Sequence, residues 1–123
     1  MSDALKQVVL DTQRLDQIRQ LEKEGEPSIL NQIVDAFLEV SPALLTALIA
    51  GVQASDAKAI EFNAHALKSG SANLGAGDFS KLCHRLELVG RSGALAGADK
   101  LMAELRDAFP LVCEALSLER SVT

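Results

Sequence analysis

Tryptophan and tyrosine are absent from the 123-residue chain and only four Phe occur. A core of stacked aromatic rings is thereby excluded, and Leu, Ile, Val and Ala must fill the interior. That palette favours helices. Cysteine is scarce too: Cys83 and Cys113 are the only two. Both fall at apolar helix positions and read as small core residues, with neither a disulfide framework nor the spacing of a zinc or thiol redox site. Positive charge is in deficit, since 12 Lys and Arg against 17 Asp and Glu leave a net charge of −5. This is the wrong sign for affinity gained by neutralising phosphates, so nucleic acid is not expected as a partner. No apolar run approaches the ~18 residues a membrane span needs, and the start, Met1-Ser2-Asp3-Ala4-Leu5-Lys6, is too polar for a secretory leader. A cytoplasmic location away from membranes is expected. A glycine-rich phosphate loop is also missing, and one domain's length leaves no room for an ATP-binding domain.

What is present is helical periodicity. No alternating run of Val, Ile and Thr argues for a strand, so the fold class is all-α. Asp11 is placed to cap a short first helix carrying Leu15, Ile18 and Leu21 and ending at the Glu24-Gly25-Glu26 turn. Pro27 suits the first position of a second helix, whose stripe runs from Ile29 and Leu30 through Phe37 to Leu48 and Val52. The stripe keeps its phase across Pro42, which predicts one bent helix. Ser55 and Asp56 mark a third helix, ended by Gly75-Ala76-Gly77. Asp78 is expected to cap a fourth, closed by Gly90 with Gly93. A fifth runs from about Leu95, in phase across Pro110, with a frayed tail after Leu118. Short connections predict an antiparallel up-and-down four-helix bundle plus a short N-terminal helix: one domain over 1–123, with its core in about 10–116.

The third helix carries the chemistry. At about 100° per residue its core side centres on Ile60, Leu67 and Leu74, and His65 projects almost opposite. Lys68 and Ser69 share the face of His65, with Glu61 one turn back and Ala72 further on. Neutral imidazole is a nucleophile near physiological pH, an ammonium one turn away can pair with a transferred phosphoryl group, and small neighbours admit another protein. A plain solvated face has the same spacing. Gly70, at the edge of the core side, is expected to allow close approach of a neighbouring helix. His84 has no lysine at the corresponding spacing and reads as a surface histidine. No i, i+4 ligand pair supports a metal site.

The segment Ala64–Ala76, AHALKSGSANLGA, followed by Lys81-Leu82-Cys83-His84-Arg85-Leu86-Glu87, resembles the histidine-containing phosphotransfer (HPt) domains of multistep two-component phosphorelays. The likeness extends from about residue 10 to 116 and includes Phe37-Leu38-Glu39 and Ser41-Pro42. The resemblance implies that His65 is the phospho-acceptor and Lys68 the phosphate-facing lysine. The family pattern usually has glycine directly after that lysine, where this chain has Ser69 before Gly70. Ser69 either narrows the partner's approach or bonds the phosphoryl group. Glu87 matches a position that often carries a polar residue near the imidazole, and a carboxylate there either orients the ring or is mere surface.

By this resemblance His65 takes a phosphoryl group from a receiver-domain aspartyl phosphate and passes it to another receiver's aspartate. The partners are receiver domains of response regulators or hybrid histidine kinases. Mg²⁺ comes from the receiver, so the chain itself needs no cofactor or metal, and it acts as a monomeric intermediate without autokinase activity. Phe62, Ala66 and Ala72, with side chains of the second helix, are candidate docking residues. Two other readings share the exposed histidine: a helical adaptor that transfers nothing, and the phospho-acceptor hairpin of a sensor kinase, which builds its bundle from two chains.

Overall fold

Asp11 begins the first helix as its spacing predicts: its carboxylate accepts from the backbone N–H groups of Gln13 and Arg14, filling donors that a helix start leaves open. The computed structural model describes residues 8–120. The helices are α1 Thr12–Arg19, α2 Ile29–Gln53, α3 Ala57–Asn73, α4 Gly77–Ser92 and α5 Ala98–Glu119, with no strand among the described residues. Helix α3 packs most extensively on α4. The α2/α3, α4/α5 and α2/α5 contacts close a four-helix ring, and α1 leans on α2.

The predicted stripes form the core. Leu30, Val34, Phe37 and Leu48 of α2 meet Ile60, Leu67 and Leu74, with Phe79, Leu82, Cys83 and Leu86 of α4 and Met102, Leu105, Val112 and Leu116 of α5. Helix α2 runs unbroken through Pro42, and α5 through Pro110. Apolar phase kept on both sides of each ring outweighs the loss of one backbone donor. Helix α2 also corrects an expectation about length, because by length and composition it is apolar enough to cross a membrane. Alanines such as Ala36, Ala43, Ala47 and Ala50, with Val40, raise its mean hydropathy on the exposed side, while its other large apolar residues pack on the core.

Several helix ends differ from the spacing. Helix α1 stops at Arg19, so Leu21 lies beyond it and is 66% exposed. Helix α2 starts at Ile29 with Ser28 accepting from Asn31 N–H, which leaves Pro27 outside. Asp78 does not cap α4; it lies in the first turn of a helix that begins at Gly77, where its charge still suits the positive end. Helix α5 begins at Ala98, three residues later than expected. The tail is tied as far as Arg120, since Arg19 pairs with Glu119 and Arg120 with Asp35. Residues 1–7 and 121–123, and the expectations for them, lie outside the described residues. Helix α1 is fixed against the α3–α4 turn by Asp11 N–H donating to Gly75 O at 2.8 Å and Arg14 Nε to Asn73 O at 2.9 Å.

Candidate functional site

Two glycines let α3 approach its neighbours closely where it matters, Gly90 on the α4 side and Gly70 on the α2 side. Gly90 does not close α4; it is buried inside it, and a Cβ there would lie 2.6 Å from Glu61 N and 2.8 Å from Ala57 O. Gly70 faces the ring of Phe37, with its Cδ1 at 3.1 Å from such a Cβ, as expected of a packing glycine between α3 and α2. Helix α3 is thereby seated against both neighbours, and His65 stands on its outer face with the side chain 58% exposed.

Beneath the imidazole lies Glu87 of α4, only 2% exposed. Its Oε2 is 2.8 Å from His65 Nδ1 and accepts from Arg91 Nη2 at 2.9 Å. Its Oε1 is 2.6 Å from Lys68 Nζ and 3.4 Å from His84 Nδ1. Of the two readings open for Glu87, it is no surface group. Lys68 and His65 do share a face, yet the ammonium of Lys68 turns onto this carboxylate. His84 is exposed, as a surface histidine should be, but belongs to the same cluster.

The hydrogen bond from Lys68, opposed by burial and aided by His65 and His84, holds the Glu87 carboxyl down from 4.5 to about 2. An ionised carboxylate only accepts, so His65 Nδ1 must carry the proton, and in the neutral ring Nε2 keeps its lone pair. A carboxyl whose pKa is depressed by folding stabilises the fold fully above its ordinary value, and that stability is lost as pH falls through the folded value. The midpoint of urea unfolding is therefore expected to fall as pH drops from 4.5 toward 2. A Glu87→Gln chain should start lower and converge with the parent at the acid end. An offset constant over that range would mean that Glu87 is not ionised against these cations.

The other residues singled out in the sequence lie around this centre. Ser69 is exposed beside His65 and Ala72 further along the face, Phe62 is 71% exposed, and Ala66 is half-buried. Between α2 and α3 an open groove of about 280 Å³ is lined by Phe37, Val40, Leu44, Ala66 and Gly70. The buried Ser41 Oγ, which has no hydrogen-bond partner among the described residues, also lines it. Cys83 is buried, and burial pushes its thiol up to about 12, away from thiolate chemistry. Cys113 is half-buried and both thiols are free.

Arg91 was not legible as a site residue. Its i, i+4 spacing from Glu87 is visible in the sequence, but its contact with Glu61, from Nε to Oε2 at 2.9 Å, depends on how α4 seats on α3. Val40 was missed as well, because it lies off the α2 stripe and is 54% exposed.

A family model of the Hpt domain matches residues 32–115. The crystal structure of histidine-containing phosphotransfer protein B from Pseudomonas aeruginosa PAO1 is similar, with a TM-score of 0.80 and 31% identity over 90% of this chain and 93% of that one. No curated protein matches the chain. The matched span begins early in α2 and runs almost to the end of α5, so it contains the whole His65 cluster and most of the four bundle helices. With a buried carboxylate under a solvent-facing imidazole at its centre, the chain belongs to the Hpt family, whose members are histidine phosphotransfer intermediates of phosphorelays.

Proposed function

We propose that His65 accepts a phosphoryl group from the aspartyl phosphate of a receiver domain and hands it to the aspartate of a second receiver. The observation that carries this reading is the 2.8 Å contact between His65 Nδ1 and Glu87 Oε2. It commits the proton to Nδ1 and leaves Nε2 as the nucleophile on the exposed side of the ring. The Nε2 lone pair forms the N–P bond while the P–O bond to the receiver's aspartate breaks, and that carboxylate leaves with the electron pair. No proton need depart: Nδ1 keeps its hydrogen, and Glu87 compensates the positive charge that the ring acquires. Onward transfer reverses the roles, with a receiver carboxylate attacking phosphorus and the neutral imidazole leaving.

Lys68, which shares the face of His65 and now pairs with Glu87, exchanges Glu87 for the phosphoryl oxygens, since a flexible ammonium with three donors can follow the charge. In-line attack needs a nucleophile that does not wander, and seating on α2 and α4 supplies that stiffness. Mg²⁺ comes with the receiver. Phe62, Ala66, Ala72 and the α2/α3 groove form the docking surface, and the contact made there is modest and transient. The chain works as a cytoplasmic monomer. One chain supplying all four bundle helices speaks against the hairpin reading.

Incubation with phosphorylated receivers should move phosphate onto this chain in a bond stable in base and lost in acid. A chain left unlabelled by every phosphorylated receiver of the source organism would favour the adaptor reading.

A further inference from the structure

Arg91 lies within the matched span, but the resemblance assigns it no role and the transfer proposed above makes no use of it. It nonetheless joins the two helices that build the site. Its Nε donates to Glu61 Oε2 and its Nη2 to Glu87 Oε2, each at 2.9 Å. Glu61 stands one turn before His65 on α3, and Glu87 one turn before Arg91 on α4. The oxygen of Glu87 that Arg91 holds is also the one that accepts from His65 Nδ1. The cluster is thus divided: Arg91 and His65 share Oε2, while Lys68 and His84 share Oε1.

This division decides which cation can leave. Lys68 must turn from Oε1 if it is to meet a phosphoryl group on Nε2. A carboxylate that is 2% exposed tolerates the departure only if another full charge stays beside it. A planar guanidinium anchored through two of its nitrogens is the group suited to stay. We infer that Arg91 is a positioning residue: by pinning Glu87 Oε2 between α3 and α4, it keeps His65 in its Nδ1–H form, with Nε2 free, while Lys68 comes and goes. It acts through Glu87, not on the phosphoryl group. This deepens the phosphotransfer reading and rests on it.

Arg91 is 57% exposed and Glu61 38%, and ion pairs so placed contribute little to stability. Orientation, not thermal stability, is the informative readout. The charged and titratable groups around the ring are Glu61 and Lys68 on α3 and His84, Glu87 and Arg91 on α4.

Long-range ¹H–¹⁵N correlation spectra of the chain alone report the tautomer of His65. The parent should show chiefly Nδ1–H. Arg91→Met is expected to lower the ratio of Nδ1–H to Nε2–H severalfold and to slow phosphoryl acceptance about tenfold, the scale on which loss of a supporting hydrogen bond acts at reactive sites. Arg91→Lys keeps the charge but loses the fork, and should recover only part of the ratio. An unchanged ratio in Arg91→Met, or full recovery in Arg91→Lys, overturns the positioning role. If Arg91→Met does not fold, Glu61→Gln is read the same way, because it weakens only the Nε anchor; an unchanged ratio there is equally fatal. The spectra need no receiver, so a parent that accepts no phosphate defeats the phosphotransfer reading while Arg91's hold on the tautomer is judged separately.

Discussion

A His65→Gln chain is expected to fold as the parent does and to take up no acid-labile phosphoryl label. The side chain is 58% exposed, so the exchange removes little buried packing. The new amide can still donate to Glu87 Oε2, so the buried carboxylate keeps a partner where the imidazole stood. It cannot act as the nucleophile, and removing the nucleophile from a group-transfer site costs at least ~10³-fold in rate. The check is a phosphotransfer time course beside a circular dichroism melt. The two histidines of the chain, His65 and His84, both reach Glu87. An acid-labile label surviving in His65→Gln would therefore point to His84, and the assignment of His65 would be wrong.

Gly90→Ala should be among the most damaging single-methyl changes available. The added carbon would meet backbone atoms of α3, at 2.6 Å from Glu61 N and 2.8 Å from Ala57 O, and backbone cannot rotate aside as a side chain can. Helix α4 would have to move off α3. Overpacking of this kind costs about 3 kcal/mol, roughly 10 °C in Tm for a domain of this size. Because Glu61 and Glu87 lie on opposite sides of that contact, phosphoryl acceptance should fall as well, even well below the melt. Gly77→Ala is the control, since nothing lies within 4 Å of a Cβ there. Equal melting temperatures for the two variants would mean that α3 and α4 are not held at this distance.

The helices and their buried faces were legible because apolar side chains recur at helical spacing, and that signal survives even Pro42 and Pro110. Ends were less legible. Leu21 extends the α1 pattern by one turn, but the chain has already left the helix there, and a repeat that short cannot show it. Gly90 looked like a stop because glycine near a helix end usually is one; its reason is the backbone of Ala57 and Glu61 on another helix. The outward direction of His65 and the shared face of Lys68 follow from rotation along a single helix. The place of Glu87 beneath them does not, since it depends on the seating of α4 on α3. That is why the sequence left its two readings open and passed over Arg91.

The flanks of His65 are unlike. Toward α2 the ground is apolar, with Val40, Phe37 and Ala66 around the groove. Toward α4 it is ionic, with Glu61, Lys68, Glu87 and Arg91 in contact. A visiting protein whose oily and charged patches lie side by side can match both halves in one azimuth only; turned half a circle, it would press grease on charge. The imidazole alone is indifferent to such rotation, so on the proposed transfer the ground around it would set the heading from which phosphorus arrives.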